Sequence, residues 1–167
     1  MAKKEKIQKT NAARLLDRAD VAYRLVPYEV DENHLDAIHV ADSLGEDINS
    51  VYKTLVLRAG KMLFVCVIPG NAEVDMKKAA RLVNAKKAEM IHVKELLSLT
   101  GYIRGGCSPL GMKQKLPTFI QQDCMNLTEI YVSAGQRGLQ LCLSPTDLIK
   151  AADAVPADII TNSSTQE

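Results

Sequence analysis

The stretch GGCSPLG, residues 105–111, gathers three glycines, a proline, a serine and a cysteine within seven positions. Three kinds of chemistry use such loops: a nucleophile elbow, a phosphate cradle, and a backbone-amide anion hole. An elbow has the pattern G-x-S-x-G, and the amide after its serine donates to the oxyanion. Here Gly106 lies two before Ser108, but Leu110 lies two after it and Gly111 three after. Pro109 follows Ser108 directly, so that amide has no hydrogen to give. Cys107 would need a base, and no local pattern ties it to His34, His39 or His92. Both nucleophile readings therefore fail. A Walker A loop ends in G-K-[ST], whereas Lys113 and Lys115 follow Gly111 at other spacings. The adjacent Gly105 and Gly106 imply positive φ or close backbone approach. They can present amides to a carbonyl or an anion, or simply form a tight turn on the core.

Elsewhere the chemistry-bearing residues are sparse. His34 and His39 are five apart, with no H-E-x-x-H companion. Cys66, Cys107, Cys124 and Cys142 form no C-x-x-C pair. No metal or cofactor is expected, and buried free thiols are the plain reading. Lys53 lies in VYKTL, where alternation puts Val51, Lys53 and Leu55 on one strand face. Such a lysine snorkels at an edge or lines a cleft, and snorkelling is the commoner outcome. Tyr28 reads as a strand tyrosine and Asp147 as a first-turn helix acid.

The elements that position these residues alternate along the chain. TNAARLLDRAD predicts a helix capped by Thr10 or Asn11, with Leu15, Leu16 and Ala19 on one face. YRLVPYEV predicts an edge strand, because Pro27 cannot donate to a ladder. HLDAIHVADSLG predicts a helix with Leu35, Ile38, Ala41 and Leu44 inward, stopped by Gly45. VYKTLVLRAGKMLFVCVIPG reads as a hairpin. DMKKAARLVN is a helix burying Ala79, Ala80 and Val83; AEMIHV is a strand; VKELLSLTG is a helix ended by Gly101. Strands PTFIQQD, EIYVSAG and LQLCLS follow, and SPTDLIKAAD closes as a helix capped by Ser144 with Pro145 at its first position. The pattern predicts an α+β fold: a mixed, largely antiparallel central sheet or barrel with surrounding helices. One domain spans residues 11–160, between a flexible basic tail (1–10) and a polar tail (161–167).

Composition narrows the class. The 167 residues are 47% hydrophobic but only 4% aromatic, and 21 Lys plus Arg nearly balance 20 Asp plus Glu. A protein gripping nucleic acid unaided usually carries a basic excess, so any such contact here is weak or assisted. No membrane span or secretory leader is read in the sequence, and the cytoplasm is the expected compartment.

VYKTLVL, DMKKAARLVNAKKAEM, TGYIRGGCSPLG, IYVSAGQRGLQL and PTDLIK occur in this order. Together they resemble the YbaK/EbsC-type Cys-tRNA(Pro) deacylases, relatives of the editing domain inserted in bacterial prolyl-tRNA synthetases. The resemblance runs from about Ala12 to about Ile160. Cys107 departs from it, standing where an isoleucine is usual, and so does the basic N-terminal extension. The resemblance implies trans-editing of cysteine mischarged onto tRNA(Pro). A synthetase pocket separates ligands differing by a methylene by only about 1–3 kcal/mol, so a second, hydrolytic sieve is useful.

The family mechanism implies no protein nucleophile. The substrate's thiol attacks its own ester and leaves as a thiolactone. By motif, Lys53 would anchor the ester or terminal ribose, Tyr28 would line the pocket, and Asp147 would bond substrate or Lys53. Gly105, Gly106 and Ser108 would offer amides or a hydroxyl to the carbonyl, with Thr54, Pro109 and Gly111 completing the substrate-binding set. The implied partners are the 3′ acceptor end of mischarged tRNA and prolyl-tRNA synthetase, which supplies tRNA affinity. A freestanding Ala-tRNA(Pro) deacylase using water is the near alternative. A non-catalytic module that binds the synthetase or a nucleotide is the distant one.

Overall fold

The computed structural model describes residues 9–162. Helix α1 (Asn11–Arg18) starts where Thr10 Oγ1 accepts from Ala13 N at 3.2 Å. It buries Ala12, Ala13 and Leu16, so its apolar stripe is rotated from the expected Leu15, Leu16 and Ala19. After β1 (Arg24–Pro27) comes α2 (Ala37–Leu44), capped by Asp36 and ended by Gly45 at φ 71°. Its buried residues are Val40 and Ala41, and Ile38, expected inward, is 49% exposed.

Strands β2 (Tyr52–Ala59) and β3 (Met62–Pro69) form the expected hairpin, in register from Tyr52↔Pro69 to Ala59↔Met62. Gly60 at φ 63° supplies the positive φ that a two-residue connection needs. Next come α3 (Met76–Leu82), β4 (Glu89–Met90) and α4 (Val93–Thr100). The strand expected over AEMIHV is cut to two residues because His92 already caps α4, its N–H donating to Glu95 Oε2 at 3.1 Å. The chain continues through β5 (Thr118–Gln121), β6 (Ile130–Gln136) and β7 (Leu139–Leu143). Helix α5 (Pro145–Ala152) is capped by Ser144 Oγ, which accepts from Asp147 N at 3.1 Å. β8 (Ala154–Ala157) is the last strand.

The strands form two sheets rather than a single one. One is antiparallel, in the order β1-β7-β6; the other is mixed, in the order β4-β2-β3-β5-β8. Among the strand pairs of the described residues, β3–β5 and β5–β8 are parallel and the rest antiparallel, so the largely antiparallel character holds. The bridge between Val51 and Tyr131 joins the sheets. The sequence pattern predicts no strand at β8; its Pro156 is tolerated because the strand is an edge. Of the supposed tails, residues 1–8 and 163–167 lie outside the described residues. Lys9 Nζ pairs with Asp17 at 2.7 Å, and Thr161 N donates to Glu73 O at 2.9 Å.

The hairpin separates two cores. Tyr52, Val56, Val65 and Val67 face a core shared with Ile130, Val132 and Leu141 of the other sheet. Leu57, Phe64, Cys66 and Ile68 face Ala79 and Ala80 of α3. Burying each large aliphatic side chain stabilises the fold by about 1.5–3 kcal/mol, so β2 and β3 are held from both sides and form a rigid floor.

Candidate functional site

That floor has one open edge. Gly70 N donates to Val51 O on the β3 side at 2.8 Å, whereas Ile91 N donates to Val56 O on the opposite side at 3.2 Å. Peptide groups alternate along a strand, so the N–H and C=O of Thr54 point away from β3. Strand β4 registers only with Leu57 and Arg58, and β6 bridges only at Val51. Between these contacts a cavity of about 330 Å³ opens on the β2 edge. Lys53, Thr54 and Leu55 form its floor, Asp36 and Val40 of α2 and its cap one wall, and Ile91 and Leu96 another. Gly105, Cys107, Ser133 and Gln140 close it.

Two buried side-chain oxygens among the described residues have no hydrogen-bond partner: Thr54 Oγ1 and Gln140 Oε1. Both residues line this cavity. An unsatisfied buried polar group costs about 1–3 kcal/mol, so the cavity offers two free acceptors to a ligand that carries hydrogen-bond donors. Gln140 is 4% exposed and pairs in register with Ser133, another cavity residue. Neither was singled out from the sequence. The available signal was a glutamine inside the buried apolar run LQLCL.

Lys53 is half-buried and lines the cavity. Among the described residues, no hydrogen bond or ion pair engages its ammonium. Burial pushes its pKa below the usual lysine value, opposed by the charges of Glu73 and Asp36. Asp36 is held below the usual carboxylate range, chiefly because its side chain accepts from His39 N. Lys53 and Arg104 are thus the two cations of a largely apolar lining whose one carboxylate is Asp36.

The two glycines of the opening motif do different work. Gly106 N donates to Ile103 O at 2.9 Å, closing a turn whose third residue, Gly105, has φ 85°. A type II turn needs this positive φ. The Gly106 amide is therefore spent, while the Gly105 N–H has no internal acceptor among the described residues. A Cβ on Gly106 would stand 3.1 Å from backbone atoms of Gln136 and Arg137, so that glycine allows close packing on the β6–β7 turn. Arg137 Nε donates to Arg104 O at 2.8 Å and fixes the loop from the same side.

Ser108 is fully buried, and its Oγ accepts from Leu110 N at 3.2 Å, inside the loop and off the cavity lining. Cys107 lines the cavity, but burial pushes its thiol up to about 12, away from the nucleophilic thiolate. All four cysteines are free and buried. Pro109 and Gly111 line a different cavity, of about 240 Å³, beside Leu15 and Ala151. Gly111 (φ 77°) sits against Tyr102, whose hydroxyl donates to Leu110 O at 2.5 Å. Asp147 lies in the first turn of α5, outside the Lys53 cavity lining. Tyr28 packs behind the wall with Val40 and Val51. Of the site residues expected from the sequence, the fold therefore groups Lys53, Thr54 and Gly105 at the cavity, and places Gly106, Ser108, Pro109, Gly111, Asp147 and Tyr28 off its lining. Among the described residues no cluster of His, Cys, Asp or Glu is placed to hold a metal, and no helix is long and apolar enough to cross a membrane.

Comparison with known proteins gives this cavity a context. A protein of Enterococcus faecalis, provisionally named the Cys-tRNA(Pro)/Cys-tRNA(Cys) deacylase EbsC, is 44% identical over 96% of this chain and 99% of its own length. A proline–tRNA ligase of Shouchella clausii is 26% identical across 59% of this chain, a match covering 17% of the ligase. The fold is shared with a crystal structure described as a candidate trans-editing enzyme for prolyl-tRNA synthetase. That match has a TM-score of 0.77 at 22% identity, covering 93% of this chain and all of the other. The family model for the aminoacyl-tRNA editing domain matches residues 31–151. This span holds β2, the Gly105 turn and Gln140, and the chain belongs to the aminoacyl-tRNA editing domain family.

Proposed function

We propose that this protein is a cytoplasmic trans-editing deacylase that removes cysteine from mischarged Cys-tRNA(Pro). The observation that carries this reading is the cavity itself. It holds an unpaired lysine, an open strand edge and two unpartnered oxygens, but no activated nucleophile. Such a site binds and polarises an ester that supplies its own nucleophile. The cysteine sulfur attacks the ester carbonyl carbon, and the bond from that carbon to the ribose oxygen breaks. The thiol proton leaves to solvent, and the ribose oxygen takes one up. The products are a cyclic thiolactone and tRNA with a free hydroxyl. Proximity supplies much of the rate.

In this reading Lys53 places its ammonium against the ester and terminal ribose, and Gly105 N–H donates to the carbonyl oxygen as charge develops there. Gln140 Oε1 accepts from the α-ammonium, and the Thr54 edge bonds the substrate's polar backbone. Gly106, Ser108, Pro109 and Gly111 shape the loop. Tyr28 backs the cavity wall, and Asp147 serves the first turn of α5. The likeness to EbsC supports cysteine as the amino acid. The likeness to part of a proline–tRNA ligase supports association with prolyl-tRNA synthetase, which supplies tRNA affinity to a chain of net charge +1.

The test is a deacylation panel of Cys-, Ala- and Ser-tRNA(Pro), with the product trapped. Thiolactone from Cys-tRNA(Pro), and little turnover of the other two, is the expected result. Preferential hydrolysis of Ala-tRNA(Pro) would move the reading to a water-using editor, and no turnover at all would leave a binding module. Ser108→Ala and Cys107→Ser should each keep activity within about tenfold of the wild type, against the roughly 10⁶-fold loss on removing a true nucleophile. An acyl-enzyme at either residue, seen by mass spectrometry, would restore the nucleophile reading.

A further inference from the structure

The near-neutral net charge hides a local concentration. Residues 76–88 contain Lys77, Lys78, Arg81, Lys86 and Lys87, five of the 21 Lys and Arg, and none of the 20 Asp and Glu. Lys78 is occupied, pairing with Asp158 at 2.8 Å. The other four are exposed, and among the described residues none makes an ion pair. Helical spacing puts Lys77 and Arg81 on one face of α3, opposite the buried Ala79 and Ala80. Asn84, at φ 56°, then reverses the chain, and Ala85 N donates back to Ala80 O at 2.9 Å. That reversal brings Lys86 and Lys87 beside the end of the helix that carries Arg81. Four exposed cations thus lie within the eleven residues 77–87, between Asp75 and Glu89.

The patch leads to the cavity. Ala88 is buried in the core beneath α3, and Met90, two residues on, lines the cavity on the free side of β2. Three residues of extended chain span at most about 11 Å, so Lys87 stands within that distance of the cavity rim. Like charges gathered in one exposed stretch repel one another, and a bound polyanion relieves that repulsion.

We propose that Lys77, Arg81, Lys86 and Lys87 form a phosphate track for the acceptor arm of tRNA, aligning its 3′ end with the cavity. This rests on the deacylase reading for the identity of the RNA, and it adds a surface outside the cavity. A cation patch of this kind reads backbone charge and not sequence. It fits an editor that leaves tRNA identity to another protein.

The test measures binding of uncharged tRNA at several salt concentrations, beside deacylation kinetics on Cys-tRNA and on a cysteinyl ester of the trinucleotide CCA. Replacing all four cations by glutamine should weaken tRNA binding and reduce the slope of log Kd against log salt by about 3, since each phosphate contact contributes roughly 0.7–0.9. KM for Cys-tRNA should rise at least about tenfold at low salt, with kcat and the kinetics on the CCA ester unchanged. The pair Lys86→Gln and Lys87→Gln, outside the helix, should give about half the slope change. Arg14→Gln, Arg18→Gln and Lys150→Gln combined remove three exposed cations from α1 and α5 and should leave the slope alone. An unchanged slope in the four-cation variant, or an equal loss in the α1–α5 variant, overturns the proposal. So does normal tRNA binding with loss only of a synthetase-conferred preference, which would assign the patch to a protein partner. If the wild type deacylates nothing, the deacylase reading falls, and the salt slope still decides whether the patch binds RNA.

Discussion

Lys53→Met is expected to lower kcat/KM on Cys-tRNA(Pro) by about 10²–10³-fold, the cost typical of removing one donor aimed at developing charge, while the melting temperature stays level or rises. The two halves of this expectation share a cause. The side chain is half-buried in a largely apolar cavity, with no hydrogen-bond or ion-pair partner among the described residues. Burial lowers its pKa because the charged form loses hydration. That is a cost to the empty fold and a resource for a bound ester, whose oxygens replace the lost water. Methionine fills the same volume without the cost.

The pH dependence follows the same sign. The unfolded chain holds the Lys53 proton up to about the ordinary 10.5, and the folded chain releases it earlier. Between the two values the unfolded state binds more protons, so this side chain's contribution to stability rises with pH across that window. The penalty is fully present at neutral pH. The methionine variant's gain in stability should therefore be greatest there and fade towards pH 10.5. Activity has the opposite limb: it rises as the substrate thiol ionises near its ordinary value of about 8.5, then falls as Lys53 loses its proton below 10.5. The falling limb should be absent from Lys53→Met. Retained activity in this variant would remove Lys53 from the site. Lost activity with a lowered melting temperature would make its role structural.

Much of the fold was legible because its signals are local. Gly60 set the hairpin, Ser144 and Pro145 set the start of α5, and Gly45 and Gly101 ended their helices. What escaped depends on contacts distant in sequence. The run AVPA becomes β8 only because β5 offers it a parallel edge. The sheets divide because β2 meets β6 at one bridge and then parts from it. Lys53 was legible as a strand residue, but whether its face meets solvent or a cavity is decided by α2 and the Gly105 turn. Gln140 looked like one more residue of a strand; its orphaned oxygen exists only after Thr54 and Gly105 have closed the space around it. Conversely, GGCSPLG reads as a single motif, yet its residues divide between two cavities and the core.

The second large effect concerns the substrate. Methylating the cysteine sulfur of Cys-tRNA(Pro) should reduce turnover by at least about 10²-fold. A well-oriented internal nucleophile acts at an effective concentration of about 10⁵ M or more, against about 55 M for water. Strain in the small thiolactone ring consumes part of that advantage and leaves the stated minimum. The extra methyl must still fit, so the methylated ester should inhibit Cys-tRNA(Pro) turnover with a Ki near the KM of the parent. A seryl ester, close in size with a weaker nucleophile, should also turn over slowly. If the methylated ester binds and hydrolyses within tenfold of the parent, water is the attacking group and needs a base. The cavity lining offers one carboxylate, Asp36, and no imidazole. In that event Asp36→Asn would abolish turnover, whereas under thiol attack it should alter the rate only through its charge on Lys53. The pair of measurements therefore distinguishes a protein that activates water from one that holds an ester while the substrate cleaves itself.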